Sequence, residues 1–338
     1  MDFFTIHIPT ADRPKMLRTA LHSVASQSAL SGVDEVLVIE NLGNRESENV
    51  CKEFPQLPIK YVFRNPPIPP GIDAARDTMS RIRGGRLALL FDDDWWMDHH
   101  LERALQSFAD HPSAVASYAS GLWSTGEKGY ITEVYGSFLP WFGCSRPMRD
   151  HRWELSLTDL LVICQINTTF HLSSLVVDTQ VFNASLECIA NGNPYDTDRR
   201  MAVEFGRHGA VICDSRPSVF FRTHEKREAV RLHAANEGAR WWNESTERLI
   251  SLAVAEGVDL SIEFVARLAR KAIPMETLRP YFGHNSFEIL KGKGILPETS
   301  VATPPPSWSK SLFRAVTPPV LRDGINSFRR AVCRGRVQ

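Results

Sequence analysis

The chain has 338 residues, 43% of them apolar and 9% aromatic, which is ample for a real core in one large domain or two modest ones. Its 39 basic and 39 acidic residues cancel, which argues against nucleic acid as a partner over the whole surface. No apolar run approaches the roughly 20 residues needed to span a bilayer, because Asp159, Gln165, Asn167 and His171 break the longest stretch, Leu155 to Val177.

The start Met1-Asp2-Phe3-Phe4 lacks the basic beginning, apolar stretch and cleavage site of a secretory signal, so a cytoplasmic location is expected. The glycosylation sequons at Asn167, Asn183 and Asn243 then read as incidental. Cys51, Cys144, Cys164, Cys188, Cys213 and Cys333 are far apart, show no C-x-x-C spacing, and read as buried free thiols.

Along the first hundred residues, short β-rich runs alternate with helical patterns. Phe3 to Ile8 is the first strand, and a helix follows from Pro14 with Leu17, Leu21, Val24 and Ala25 on one face. Glu35 to Ile39 is a nearly continuous apolar run of the kind buried on both sides of a parallel sheet, and Ile59 to Phe63 and Arg86 to Phe91 repeat it. A helix over Gly71 to Arg83 lies between the last two. This βαβαβαβ order implies right-handed crossovers and ligands gathered at the carboxyl ends of the strands. Those ends are Pro9 to Arg13, Glu40 to Gly43 and Asp92 to Trp96.

From about Ser113 to His224 the pattern is mixed, with strands expected at Ala114 to Tyr118, Tyr130 to Tyr135, Ser173 to Val177 and Ala210 to Cys213. Helical patterns follow over Glu225 to Glu256, Ile262 to Ile273 and Met275 to Leu290. The expected organisation is a main α/β domain over 1–224, divided at 112 and 113 into two halves. A helical extension over 225–296, a proline-rich linker over 297–309 and a basic amphipathic tail over 310–338 complete it. Between Ser307 and Gln338, Trp308, Leu312, Phe313, Val320, Leu321, Ile325 and Phe328 alternate with seven basic residues, and Asp323 alone is acidic. Such a segment suits peripheral contact with an anionic membrane face. A tail docked on its own domain is the alternative, since Pro318-Pro319 interrupts any long helix.

Asp92-Asp93-Asp94 follows an apolar strand and precedes Trp95-Trp96, so three carboxylates are presented together at a strand end. Like charges this close raise one another's pKa unless a cation neutralises them, and hard oxygen ligands suit Mg²⁺ or Mn²⁺. A solvated acidic turn or a helix cap is the other reading.

At these residues the chain resembles the nucleotide-diphospho-sugar glycosyltransferases of GT-A fold, specifically the inverting family 2 type. Thr5-Ile6-His7-Ile8-Pro9-Thr10-Ala11-Asp12-Arg13-Pro14 is similar to the opening strand and loop of that family. Glu35 to Asn41 resembles its second strand, with Glu40 at the acidic position that contacts the nucleoside. Gly71-Ile72-Asp73-Ala74-Ala75-Arg76-Asp77 resembles a helix start from which Arg76 faces the nucleotide, and Leu89 to Trp96 resembles the strand carrying a D-x-D motif.

The resemblance implies an α/β GT-A fold: a Rossmann-like, mixed but mainly parallel sheet flanked by helices, with the helical extension added. It implies donor-binding roles for Pro9, Thr10, Arg13, Glu40, Asn41, Arg76, Asp92 and Asp93, and a Mn²⁺ or Mg²⁺ site at Asp94 and Asp92. Both D-x-D registers stay open, since Leu101-Glu102 favours a shift by one. Phe220-Phe221-Arg222-Thr223-His224 resembles the family's R-x-H, placing His224 at the metal or the diphosphate.

Asn193 to Arg200 resembles the helix start that supplies the base, which makes Asp196 or Asp198 the catalytic carboxylate. Tyr195 and Ala202 depart from the pattern, which often has Glu and Arg there, and Asp196 as a plain helix cap is the alternative. The implied partners are a UDP-, GDP- or dTDP-sugar and a carbohydrate or lipid-linked acceptor, as in polysaccharide or glycolipid synthesis. A nucleotidyltransferase would need a glycine-rich basic loop after the first strand, which Pro9 to Arg13 is not. A degenerate, non-catalytic binding domain is the remaining alternative.

Overall fold

The computed structural model describes residues 3–43, 45–69, 71–125, 146–147, 151–166, 170–189, 193–223, 237–271 and 286–296. Strands β1 (Phe4–Thr10), β2 (Val33–Glu40), β3 (Ile59–Phe63) and β4 (Arg86–Leu89) pair in parallel in the order β3-β2-β1-β4. Their connections contain α1 (Pro14–Ala25), α2 (Glu46–Lys52) and α3 (Ile72–Met79). Helix α1 forms where expected because Pro14 fixes the first-turn φ, while Leu17, Ala20, Leu21 and Val24 recur at helical spacing and are buried. The chain moves from β1 outward to β2 and β3 and then returns to the other side of β1. That reversal opens a crevice at the carboxyl ends of β1 and β4.

Past β4 the sheet becomes mixed. Strand β9 (Leu175–Asp178) runs antiparallel to β4 and to β6 (Ala114–Thr125), and β10 (Ala210–Thr223) lies parallel to β6. β8 (Arg152–Leu155) and β7 (Arg146–Pro147) finish that edge, while the short β5 (Trp95–Trp96) pairs with the end of β10. The expected Rossmann-like sheet is therefore present. Side-chain alternation gives it two cores: Phe4, Ile6, Ile8, Ala88, Leu90 and Val176 face α1 and α4 (His100–Asp110), and Leu87, Leu89, Leu175 and Val177 face the other side.

On that second side lie α5 (Leu157–Ile166), α6 (Thr179–Ala184) and α7 (Pro194–His208). Helix α5 stands where the sequence shows only a broken apolar run. It is buried from Asp159 to Ile166 without interruption, so it carries no exposed stripe that periodicity could reveal. Strands β6 and β10 run well past their expected ends, and β10 shifts register around Pro217, where a ladder donor is missing. β9 begins at Leu175 because Leu172–Ser174 forms a 3₁₀ turn, and α3 stops at Met79. The expected strand over 130–135, the linker and the tail lie outside the described residues.

Helices α8 (Glu237–Ala255), α9 (Leu260–Lys271) and α10 (Ser286–Gly292) share the second core: Leu249, Ala253, Leu260, Phe264, Phe287 and Leu290 pack with Leu160 of α5 and Met201 of α7. Arg267 of α9 sits 2.7 Å from Asp159 of α5, both buried, and Ser156 satisfies the other carboxylate oxygen. Cys51, Cys164, Cys188 and Cys213 are buried free thiols. No helix among the described residues is long and apolar enough to cross a membrane.

Two buried imidazoles make the fold acid-sensitive. Burial, with help from Arg64, pushes His7 on β1 down to about 3, and burial beside His99 does the same to His100, which stacks on Trp96 at 4.5 Å. The unfolded chain takes up these protons near pH 6.5, whereas the folded one resists until about 3, so stability falls as pH drops through that window. Urea denaturation between pH 7 and pH 4 is expected to show a smaller loss of stability in a His7→Asn/His100→Asn double variant than in the parent.

Candidate active site

The crevice between β1 and β4 is lined by the loops that leave those strands. Leu90 still donates its N–H to the carbonyl of His7 at 3.1 Å, and a turn closed by Asp94 N–H on the Phe91 carbonyl then delivers the three aspartates. Asp92 and Asp94 are each 1% exposed and Asp93 8%, so these are desolvated carboxylates rather than a solvated acidic turn. Burial pushes Asp92 up to about 6; Arg13 and the Thr10 hydroxyl oppose that rise, and the charge of Asp93 adds to it. Thr10 Oγ1 donates to Asp92 Oδ2 at 2.6 Å, and Arg13 Nη2 lies 2.7 Å from Asp92 Oδ1, while its Nη1 is 3.6 Å from Asp93.

The far side of the triplet is held from distant sequence. Ser173 Oγ donates to Asp94 Oδ2 at 2.6 Å, the Arg222 N–H donates to Asp94 Oδ1 at 3.0 Å, and His171 Nδ1 stands 3.8 Å from the same carboxylate. Trp95 stacks on Phe220 at 5.0 Å with the Arg222 guanidinium over its ring, and Trp96 Nε1 donates to the Ser173 carbonyl. Trp96 is therefore core, and Trp95 stays half-buried at the rim.

A second wall comes from the end of β2. Glu40, 1% exposed, accepts from the Tyr61 hydroxyl at 2.7 Å and from the Asp12 N–H at 3.1 Å. Asp12 adopts a φ of +55°, a left-handed turn that aspartate tolerates, which starts the loop carrying Arg13. Gly43, at φ +122°, passes so near Glu40 that a Cβ there would sit 2.5 Å from Oε1. Asn41 uses both side-chain ends on the backbone of Ile68 and so shapes the loop after β3.

Pro9, Thr10, Arg13, Glu40, Asn41, Asp92, Asp93 and Asp94 thus share one strand-end region. Arg76 is engaged elsewhere, 2.6 Å from Glu187 with both side chains exposed. Asp196 lies within the first turn of α7 rather than before it, since the helix begins at Pro194, and Asp198 is half-buried. His224 lies outside the described residues. Sequence reasoning passed over Tyr61, His171 and Ser173 as site neighbours; hydroxyls and a histidine in ordinary apolar surroundings carry no local signal.

The donor set fits a hard cation. Two buried carboxylates supply oxygens, and Asp92 Oδ1 already faces the Arg13 guanidinium at 2.7 Å, a cationic contact that a metal ion could take over. Among the described residues, no three His, Cys, Asp or Glu side chains form a ready metal cluster.

The mixed, mainly parallel sheet with buried acidic residues at its topological switch point has the GT-A architecture. Residues 5–168, a little under half of the chain, match the family model described as Glycosyl transferase family 2, which marks that stretch as a glycosyl-transferring domain. Among solved structures, it is similar to TarS 1–349 of S. aureus in complex with UDP-GlcNAc, at 14% identity over 87% of this chain and 88% of that one, TM-score 0.49. It is similar also to the mannosyltransferase PcManGT of Pyrobaculum calidifontis in complex with GDP-Man and Mn²⁺, at 14% identity over 86% and 79%, TM-score 0.47. Against a longer TarS structure the identity is 15% over 79% of this chain, which spans 43% of that one, TM-score 0.48. A comparison with curated proteins gives no match.

Tyr61→Phe removes one of the two donors to buried Glu40 and is expected to lower unfolding free energy by about 1–3 kcal/mol in urea denaturation, the usual penalty for leaving such a group unsatisfied.

Proposed function

We propose that the chain moves a sugar from a nucleoside-diphosphate sugar to an acceptor hydroxyl, with inversion and with a divalent cation, Mn²⁺ or Mg²⁺, at the aspartate triplet. The observation that carries this reading is the pair of desolvated carboxylates, Asp92 and Asp94, beside Thr10 and Arg13 at the switch point of the sheet. Asp92 and Asp94 are assigned as the metal-binding pair in the D-x-D register. In support, both point into fixed donor sets, while Asp93 is the most exposed of the three. When bound, the cation neutralises charge on the departing nucleoside diphosphate.

Glu40 and Asn41 line the nucleoside end, and Arg13 meets the diphosphate by leaving Asp92. His224 joins the metal or diphosphate, and Arg76 the nucleotide, with Glu187 as its resting partner. Asp196 or Asp198 takes the proton of the acceptor hydroxyl as that oxygen attacks the anomeric carbon and the bond to the diphosphate breaks. The path of the chain supports that role. Ser173 and Arg222 both touch Asp94, and α7 lies between them in sequence. A single residue, Gly209, separates α7 from β10, the strand whose Arg222 N–H contacts Asp94.

The acceptor is assigned as a saccharide or lipid-linked saccharide at the cytoplasmic face of a membrane, with residues 307–338 as the peripheral contact. UDP-GlcNAc and GDP-mannose, with UDP, GDP and dTDP, are the probes to use with Mn²⁺. A matching nucleotide is expected to raise the melting temperature, by mass action on the folded state, and the donor is expected to release nucleoside diphosphate. Asp94→Ala should abolish both effects, while Asp196→Asn or Asp198→Asn should abolish turnover and spare nucleotide binding. Turnover at the parent rate in all three variants would refute the assignment.

A further inference from the structure

The first turn of α7 is gripped on both sides by α8. Just before the turn, buried Asn193 donates Nδ2 to the Trp241 carbonyl at 2.7 Å. Just after it, fully buried Arg199 donates Nη1 to the Trp242 carbonyl at 3.3 Å and Nη2 to Thr246 Oγ1 at 3.1 Å. The Arg199 Nε reaches back to the Cys164 carbonyl of α5 at 2.7 Å, and the guanidinium lies 4.2 Å over the Trp242 ring. Thr246 and the Trp242 indole in turn meet Ser286 of α10. Asp196 and Asp198 therefore lie on a short stretch whose two ends are bonded to one segment, 241–246, of a single neighbouring helix.

Burying a guanidinium is costly unless its donors are matched, and an apolar side chain of similar volume serves packing as well or better. What the planar fork adds is direction, since it fixes three acceptors on two helices relative to α7. We propose that Asn193 and Arg199 are positioning residues, through which the helical extension sets the geometry of the proton-accepting turn. The extension thereby takes part in transfer as well as closing the core. This rests on the reading that Asp196 or Asp198 is the base.

The test uses the full chain with Asn193→Ala, Thr246→Val and their combination, each removing hydrogen bonds while leaving Arg199 in place, and with Arg199→Lys, which keeps the charge and loses the fork. Amide hydrogen exchange over 195–199 is expected to quicken in the combined variant while β1, β2 and β4 stay protected. Turnover in the donor assay described above should fall about tenfold or more, with donor KM and the nucleotide-induced melting shift within about twofold, because small misplacements of a reacting group cost about that much. Arg199→Lys should fall between the combined variant and the parent.

Amides that do not loosen, or that loosen while turnover holds, overturn the proposal. So does a loss in which turnover and nucleotide binding decline together. If Asp196→Asn or Asp198→Asn is inactive while the combined variant is normal, the clamp alone is refuted; if both aspartate variants turn over normally, the base assignment fails and the clamp with it.

Discussion

The structure depends on keeping three neighbouring carboxylates out of water at the end of one strand. Coulomb repulsion grows as the local dielectric falls, so Asp92, Asp93 and Asp94 are tolerable only with opposing charge and directed donors around them. Arg13 and Thr10 from the first strand's loop supply part of this, and Ser173 and the Arg222 N–H supply the rest. The architecture follows from that requirement: β1 must lie beside β4, β9 must bring the Ser173 turn to the other side, and β10 must reach far enough for its end to cap Asp94. Burial still holds the Asp92 carboxyl up at about 6 with Arg13 beside it, so desolvation outweighs the ion pair there.

Glu40 repeats the principle on a smaller scale. It too is buried, and it too is held by a hydroxyl and a backbone N–H, from Tyr61 and Asp12. The Asp12 N–H also contacts the Leu42 carbonyl, and the Asn41 N–H donates to the Thr10 carbonyl, so the two strand-end loops are stitched into one surface. Arg13 and Glu40 are then parts of one rigid rim rather than of two independent loops.

The first half of the chain was largely legible. Parallel strands buried on both faces read as apolar runs, and the turns that end them collect the polar residues at 9–13, 40–43 and 92–96, which the structure brings into one strand-end region. The second half was less so, for physical reasons. Helix α5 is buried from Asp159 to Ile166 on every side, and β10 continues through Ser215, Arg216, Pro217 and Ser218, residues that look like a loop but are carried across by bulges in its pairing with β6. The partners of Asp94 could not be read locally at all, because a serine becomes a carboxylate donor only when the fold sets it beside one. Arg199 is a similar case: in the sequence it looks like one of two solvated arginines on a helix, and only its burial reveals the fork.

The separations within the acidic site carry a consequence for how the molecule forms. Asp92 meets Thr10 across 82 residues, and Asp94 meets Ser173 and Arg222 across 79 and 128. Contacts this distant are made late, after the local helices and the early β1 to β3 ladder, and they slow folding. The triplet therefore gains its hydrogen-bond partners only when segments 79 to 128 residues away have docked, so completing the acidic site is tied to completing the native fold.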